Sequence, residues 1–324
     1  MSQTNAVLAP DSHETYQALI RSLRRRRGFG LLFVRCSPAQ GQQLIADVRK
    51  DIPRKKIEVL PLKHSIDNLY DIVESLPNKD QIHILFITGL EKSLTEYIQP
   101  GIGGQGDYYK LDTVPRILGH LNLQRERFRD NFNICFVFLL PQFALKYFVR
   151  RAPDFFDWRS GVLEFVTDRE LVEQESSRLL QEGDYQKYLA LTPQERNQKL
   201  LEIQELIDEK YQTSEQKAGL WFEQGNILVA NTQYEEEIAS YDQALNLKPD
   251  KDEAWNNRGF ALGNLGRYEE AIASYDQALN LKPDKDAAWN NRGIALSNLG
   301  RYEEAIASYD QALKLKPDKD EAWY

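Results

Sequence analysis

The sequence predicts an α/β domain followed by an all-α solenoid. In the first half, five short apolar runs alternate with helical patterns, as in a mostly parallel, doubly wound sheet with helices on both faces. In the second half, a stretch of 34 residues occurs almost twice over, with 30 positions identical. The charge changes as well, because residues 1–167 carry 23 Lys and Arg against 18 Asp and Glu, whereas residues 168–324 carry 18 against 31. We therefore place a domain boundary near Thr167.

The first half reads as five strands separated by helices. The strand-like runs span 30–36, 56–62, 82–88, 133–140 and 162–166, and the helical patterns span 13–27, 42–51, 66–76, 113–130 and 142–148. A glycine-rich stretch at 100–112 interrupts this alternation. We interpret it as a surface insertion, since it does not lead from a strand into a helix that begins with Lys and Ser or Thr.

The turn after the first strand has the layout of a P-loop without its chemistry. A working loop needs an initial Gly, a Lys for the phosphates and a Ser or Thr for Mg²⁺. Aligned on Gly41, these positions hold Cys36, Gln42 and Gln43. The third strand, where a Walker B strand would end in an acid, ends in Thr88, and the nearest carboxylate is Glu91. Both halves of a Mg-nucleotide site are altered, which argues against NTP hydrolysis.

In this layout, residues 12–166 resemble the nucleotide-binding core of AAA+/STAND P-loop NTPases, in the inactive form that some bacteria fuse to repeat arrays. The resemblance implies a P-loop-like pseudo-NTPase that serves assembly or regulation in bacterial signalling or conflict systems. A flavodoxin-like or Rossmann-like sheet stays open as an alternative. So does a nucleotide-dependent switch that binds ATP or GTP by an unusual route, through Ser37, Gln40, Gly41 and Glu91.

The repeated stretch carries a fixed set of residues. Trp255, Gly259, Leu262, Ala271, Tyr275, Ala278 and Pro283 recur as Trp289, Gly293, Leu296, Ala305, Tyr309, Ala312 and Pro317. A diverged earlier copy has Glu237 in place of the small residue Ala271. This pattern resembles the tetratricopeptide repeat (TPR), a helix-turn-helix unit. It predicts units at 218–251, 252–285 and 286–319 and the start of a fourth within 218–324, which suggests a fragment or a partner that covers the last unit.

Residues 168–216 are predicted to be a helical connector that docks on the first repeat, with helices at 168–182 and 193–211. The resemblance places the peptide-binding groove mainly on the first helix of each unit. The matching positions are Phe222, Asn226, Val229, Asn256, Asn257, Phe260, Asn264, Asn290, Asn291, Ile294 and Asn298. Asparagines can bind a peptide backbone, and Phe260 and Ile294 can bind apolar side chains. Phe222 and Asn291 stand where a chaperone-binding groove needs cations. These asparagines could equally be consensus residues without a ligand.

The remaining features favour a non-catalytic cytoplasmic scaffold or adaptor that binds a protein or peptide and needs no cofactor. Cys36 and Cys135 each lie in an apolar run and read as buried thiols rather than a disulfide. The four histidines have no metal-ligand spacing, and no apolar run is long enough to span a bilayer. The arginine run at 24–27 reads as a solvated helix end, which makes a nucleic-acid partner the less favoured choice. Self-association stays open.

Overall fold

The structure, a computed structural model, describes residues 10–97, 114–165, 167 and 169–316. The glycine-rich stretch 100–112 and the start of a fourth repeat at 320–324 lie outside the described residues. The described part forms two compact units, one up to Val172 and the other from Glu173. Each unit is described by itself below.

The N-terminal unit contains a five-stranded parallel sheet in the order β2-β3-β4-β1-β5. The strands are β1 (Gly30–Arg35), β2 (Ile57–Pro61), β3 (Ile84–Thr88), β4 (Cys135–Leu140) and β5 (Gly161–Glu164). Each lies within two residues of its predicted start, so a five-stranded parallel sheet with helices is confirmed. Because β4 lies between β1 and β3, the turns that follow β1 and β3 are two strands apart at the carboxyl edge.

Six helices belong to this unit. They are α1 (Pro10–Arg25), α2 (Pro38–Asp51), α3 (Leu69–Glu74), α4 (Arg116–Asn131), α5 (Gln142–Arg151) and α6 (Pro153–Phe156). The helix α6 was not predicted, and α2 begins at Pro38 instead of Gln42. Ser37 explains the difference, because its side chain accepts a hydrogen bond from Gln40 N–H while the Gln40 side chain accepts one from Ser37 N–H. This capping box, with Pro38 in the first turn, starts the helix early.

The two faces of the sheet pack differently. On one face, α1 and α2 cover alternate strand residues such as Val34 and Val137 in a mainly aliphatic cluster that includes both buried cysteines. On the other face, phenylalanine rings pack together, with Phe33 stacked on Phe138 at 5.0 Å between ring centroids and also in contact with Phe148. Both faces of β4 are fully buried, which is why its sequence is apolar throughout instead of alternating.

The second unit is entirely helical among its described residues. Its helices are α7 (Arg169–Glu182), α8 (Tyr185–Ala190), α9 (Pro193–Asp208), α10 (Ser214–Val229), α11 (Tyr234–Leu247), α12 (Asp252–Asn264), α13 (Tyr268–Leu281), α14 (Asp286–Asn298) and α15 (Tyr302–Leu315). The short helix α8 was not predicted. No helix in the described part of the chain is both long and apolar enough to cross a bilayer.

Helices α10 to α15 form three helix-turn-helix repeats that stack into a solenoid. Within the second repeat, a Cβ added to Gly259 would lie 2.7 Å from the Tyr275 ring, so only glycine permits this approach of the two helices. Gly225 meets Tyr241 and Gly293 meets Tyr309 in the same way. These three glycines therefore permit the close approach of the two helices in their repeats.

The connector closes one end of the solenoid. Leu200 and Ile203 of α9 share a buried cluster with Leu220 and Trp221 of α10. The Gln224 side chain of α10 donates to Gln204 of α9 at 3.0 Å. The predicted docking of the connector on the first repeat is therefore confirmed, and α9 covers the face that a preceding repeat would otherwise cover.

Candidate functional site

The turn between β1 and α2 is short and already hydrogen-bonded to itself. Only Cys36 and Ser37 lie between the last strand residue and the first helical residue. Gly41 N–H donates to the Ser37 carbonyl at 2.9 Å, and Gln40 N–H donates to the Ser37 hydroxyl at 3.3 Å. In a P-loop such backbone N–H groups surround the phosphates, whereas here these two belong to the first turn of a helix.

The residues around this turn also have the surroundings of a packed turn and not of a binding loop. A Cβ on Gly41 would lie 3.1 Å from Leu139 Cδ1 and 3.5 Å from Cys36 Sγ, so β4 lies against the turn. Gln42 and Gln43 are exposed, and the Gln43 amide donates to Asp47 on the same helix at 3.1 Å. The two glutamines therefore lie on the outer surface of α2.

Thr88 and Glu91 lie at the end of β3. Thr88 is partly buried, and its carbonyl accepts a hydrogen bond from Leu62 N–H at 2.8 Å. Glu91 lies in a 3-10 turn, where burial raises the pKa of its carboxyl group. A carboxylate that holds Mg²⁺ must be ionised, and burial of Glu91 works against that form. The six predicted nucleotide-site positions thus fall on two turns separated by β4.

The predicted groove positions lie on α10, α12 and α14, and we call them the first-helix face. Its exposed members are Phe260, Asn264, Ile294 and Asn298; its partly buried ones are Phe222, Val229, Asn256, Asn257 and Asn291; its buried ones are Asn226 and Asn290. Phe260 is 46% exposed and Ile294 is 45% exposed. These two apolar side chains occupy the same position in consecutive repeats, 34 residues apart.

The corresponding position of the first repeat is closed. Asn226 replaces the exposed apolar residue, and its side-chain oxygen accepts from Tyr241 O–H at 3.0 Å and from Asn257 Nδ2 at 3.3 Å. Asn257 Oδ1 accepts in turn from Asn256 Nδ2 at 3.2 Å. Three of the predicted asparagines are thus bonded to one another at the junction of the first two repeats.

Asn290 corresponds to Asn256 but is buried, whereas Asn256 is only partly buried. The Oδ1 atom of Asn290 is buried and has no hydrogen-bond donor among the described residues. Asn256 Oδ1 is likewise buried without a hydrogen-bond donor among the described residues. Asn298 donates to the carbonyl of Ile294 within its own helix at 2.9 Å. The asparagines of the first-helix face therefore differ in which of their side-chain atoms already have a hydrogen-bond partner.

Charges next to the first-helix face are largely compensated. Lys285 Nζ lies 2.7 Å from Asp252 Oδ2, and both side chains are more than four-fifths buried. Lys251 Nζ lies 4.2 Å from the centroid of the Phe222 ring. Lys285 and Lys251 are thus held by a carboxylate and by an aromatic ring.

Comparison with protein families identifies the helical array. A model described as "Tetratricopeptide repeat" matches residues 256–320, and one described as "TPR repeat" matches residues 225–266. The array is built of tetratricopeptide repeats. Both matches lie in the C-terminal unit, where TPR units one to three account for α10 to α15. No match is found among curated protein sequences.

Solved structures that are similar to part of the chain include TPR domains. The TPR domain of OM64 from Arabidopsis is 25% identical, covers 34% of this chain and 91% of its own, and has a TM-score of 0.34. The first TPR of Spaghetti (RPAP3), bound to the HSP90 peptide SRMEEVD, is 30% identical, covers 33% and 86%, and has a TM-score of 0.33. The second TPR domain of human RPAP3, in complex with the HSP70 peptide SGPTIEEVD, is 27% identical, covers 32% and 85%, and has a TM-score of 0.31.

Sequence reasoning missed the side chains that join the TPR units. Arg258 Nε lies 2.6 Å from Asp242 Oδ1, and Arg258 also donates to the Ser274 hydroxyl at 2.6 Å. Arg292 makes the same two contacts one repeat later, with Asp276 and Ser308. The 34-residue recurrence of Arg, Asp and Ser was visible in the sequence and could have indicated this bridge.

Proposed function

We propose that the TPR array is a protein-binding adaptor whose first-helix face, at its positions on α12 and α14, holds an extended segment of a partner. The observation that carries this proposal is the matched exposure of Phe260 and Ile294 on consecutive first helices. Apolar side chains of the same size at other first-helix positions, such as Leu262 and Leu296, are fully buried. Two large apolar residues left in solvent at one repeat position are suited to binding apolar side chains of a ligand.

The repeat geometry sets the spacing of the ligand residues. Helices α12 and α14 contact each other, and packed helices lie about 8–10 Å apart. A segment in the extended polyproline II conformation advances about 3.1 Å per residue with three residues per turn, so about three ligand residues span one repeat and residues three apart face the same side. We therefore expect the bound segment to carry two apolar side chains three positions apart, one against Phe260 and the other against Ile294.

The charges on this face favour a ligand without an acidic terminus. Lys251 and Lys285 are held by Phe222 and Asp252, and the positions Phe222 and Asn291 carry no cation. A terminal carboxylate bound there would lose its water without gaining a charged partner. We expect the peptide SRMEEVD, the ligand of the Spaghetti (RPAP3) TPR, to bind this chain far more weakly than a neutral apolar segment.

The test is a selection of random 12-residue peptides displayed on phage against the full-length chain. Selected peptides should share two apolar residues at a spacing of three. Their binding should fall at least tenfold in Phe260→Ala and in Ile294→Ala, measured by fluorescence anisotropy. Tyr302→Ala is the matched control, since it removes an exposed ring from α15 and should leave binding unchanged. Selected peptides that are insensitive to both alanine variants would refute the proposal.

For the N-terminal unit, we propose a P-loop-like pseudo-NTPase that serves assembly or regulation without nucleotide turnover. In its favour are the closed turn at Ser37, the packing of Gly41 against Leu139, and the uncharged Gln42 and Gln43. The competing function is a nucleotide-dependent switch through Ser37, Gln40, Gly41 and Glu91.

Isothermal titration of the full-length chain with ATP and GTP, with and without Mg²⁺, separates these two functions. The pseudo-NTPase should give no Mg²⁺-dependent heat at micromolar nucleotide. A Mg²⁺-dependent micromolar affinity that is lost in Glu91→Gln would favour the switch instead.

A further inference from the structure

The positive charge of the N-terminal unit is concentrated in one stretch of the chain. Residues 21–56 carry 11 Lys and Arg against two Asp, whereas the rest of residues 1–167 carries 12 against 16. Six of these cations are exposed, and their side chains make neither a hydrogen bond nor an ion pair within the described residues. They are Arg21, Arg25, Arg27, Arg49, Lys50 and Arg54, and we call them the basic cluster. In the repeats, by contrast, Arg258 and Arg292 are each bound to a carboxylate.

Hydrogen bonds bring the parts of the basic cluster to one place. Arg24 donates to the carbonyl of Asp51, the last residue of α2, at 3.0 Å. Lys55, in the turn before β2, donates through Nζ to the carbonyls of Leu23 and Arg26 at 2.6 Å each. The carboxyl ends of α1 and α2 and this turn therefore lie together. The arginine run 24–27, which the sequence alone presents as a helix end, is one part of a larger basic surface.

The basic cluster lies away from the turns that were compared with a P-loop. α1 and α2 end just before β1 and β2 begin, at the amino ends of these strands, whereas Ser37 and Glu91 follow the carboxyl ends of β1 and β3. All five strands are parallel, and the six residues of β1 span about 20 Å. The two places are therefore at opposite edges of the sheet.

Other residues already fill the structural roles that the basic cluster could have. The last carbonyls of α1 accept from Lys55. The two carboxylates of the stretch have other donors, because Asp51 accepts from the Tyr16 hydroxyl at 2.8 Å and Asp47 from the Gln43 amide at 3.1 Å. Charges of one sign that lie together repel each other, and a bound polyanion removes this repulsion.

We propose that the basic cluster binds the phosphate backbone of double-stranded nucleic acid without reading its sequence. Five of its six members are arginines, whose planar fork can donate two hydrogen bonds to one phosphate. A duplex carries one negative charge per about 1.7 Å of its axis, so several of the cations can meet phosphates together. Among the described side chains of residues 10–97, no large apolar one is exposed. The surface therefore has no ring to stack on unpaired bases and no apolar group to insert into a membrane. This inference is independent of the first-helix face.

The test is the fluorescence anisotropy of a labelled DNA duplex of about 30 base pairs, titrated with the full-length chain at several salt concentrations. Binding should be saturable at 50 mM NaCl and should weaken about a thousandfold by 200 mM, as expected for about six phosphate contacts. Duplexes of unrelated sequence should bind equally well. The triple variant Arg25→Gln, Arg49→Gln and Arg54→Gln should weaken binding at least tenfold at 50 mM NaCl. It should also make the slope of log affinity against log salt concentration shallower by about three.

The matched control is a second triple variant, Lys63→Gln, Arg116→Gln and Lys146→Gln. It removes the same number of charges from exposed positions of the same unit outside the basic cluster, and it should leave binding unchanged. All six substituted positions are exposed, so both triple variants should fold, and their circular dichroism spectra check this.

Three kinds of result would overturn the proposal. One is the absence of saturable binding at 50 mM NaCl, or equal weakening by the two triple variants. Another is tighter binding to a single strand of the same length, or binding to phosphatidylserine vesicles without binding to the duplex. The third is sedimentation that shows a salt-sensitive dimer which the variant of the basic cluster dissociates, because the occupant would then be a second copy of the chain.

Discussion

The first repeat and the second repeat share one backbone plan but have different interiors. In the second, Ala271 is buried where the helices touch, Gly266 has a φ of 74°, and Phe260 is exposed. In the first, the corresponding residues are Glu237, Thr232 and Asn226. Glu237 is fully buried with no partner for its carboxyl oxygens in the described part of the chain, and Thr232 has a φ of 55°.

The first repeat is therefore adapted to contact the connector, whereas the second leaves Phe260 exposed to solvent. Gln224 takes the position of Arg258 and bonds to Gln204 of the connector and to Ser240. Glu223 accepts a hydrogen bond from the hydroxyl of Tyr188 in α8 at 2.9 Å. Polar groups that face solvent or ion pairs in the second repeat thus face the connector in the first. Stability tests can separate the two roles.

The largest expected effect concerns Glu237, where burial raises the pKa of the carboxyl group from 4.5 to about 8. Because the folded state holds this proton more tightly than the unfolded state, the stability that Glu237 contributes is fully present below pH 4.5 and is lost as pH rises to about 8. The expected loss is on the order of 4 kcal/mol. Glu237→Gln, which cannot ionise, should remove this contribution. Urea unfolding followed by circular dichroism at pH 5, 6.5 and 8 measures it.

The control for this prediction is a reciprocal exchange. Ala271→Glu places the same carboxyl group in the second repeat and should create a similar loss of stability between low and high pH. A wild-type chain whose free energy of unfolding is equally high at pH 5 and pH 8, after correction with Glu237→Gln, would show that Glu237 is not the cause.

The second effect concerns the bridge between repeats. Arg258→Ala removes two hydrogen bonds and leaves the Ser274 hydroxyl buried, which should cost about 2 kcal/mol of unfolding free energy. Arg258→Lys should recover less than half, because one ammonium cannot replace the planar fork that reaches Asp242 and Ser274 together. Gln224→Ala should cost about 1 kcal/mol, since its bonds are neutral. Equal losses of unfolding free energy for Arg258→Ala and Gln224→Ala would contradict this distinction between the repeats.

The third effect concerns the turn between the two helices of each unit. A left-handed conformation costs a residue with a side chain about 1–2 kcal/mol, part of which glycine gives back through its larger entropy in the unfolded chain. Thr232→Gly should therefore stabilise the chain by about 0.5–1 kcal/mol, and Gly266→Thr should destabilise it by about 1 kcal/mol. Thermal unfolding of both variants checks the sign; a Thr232→Gly variant that melts earlier would contradict the account.

The smallest effect on stability is expected at the exposed apolar residues Phe260 and Ile294. Phe260→Ala and Ile294→Ala should change the unfolding free energy by less than about 0.5 kcal/mol, because both side chains are half exposed. Leu262→Ala, two residues away on the buried side of the helix, should cost about 3 kcal/mol. Urea unfolding of the three variants compares a binding residue with a core residue on the same helix.

Much of this organisation could be predicted from the sequence, because it depends on local rules. Apolar runs located all five strands, and the recurrence of Trp255, Gly259 and Pro283 located the repeats. The start of α2 was also available in principle, since Ser37, Pro38 and Gln40 are a capping sequence. Alignment with a P-loop instead placed the start of this helix directly after Gly41.

The rest depends on contacts between distant residues. The sequence places Asn226 and Phe260 at the same position of their repeats. Only the fold shows that Asn226 accepts hydrogen bonds from Tyr241 and Asn257 and is therefore not available in the first repeat. Likewise, nothing local distinguishes Ile272 from Ile306, because their helices have nearly the same sequence. Ile272 is buried because α14 packs on α13, a contact between elements that the sequence of α13 alone does not show.

The central claim is that the second and third repeats, and not the first, present the binding face. Hydrogen exchange of the full-length chain with and without a phage-selected peptide tests it directly. The account predicts slower exchange in α12 and α14 around Phe260 and Ile294, and no change in α10. Protection confined to α10 or to the N-terminal unit would contradict the claim.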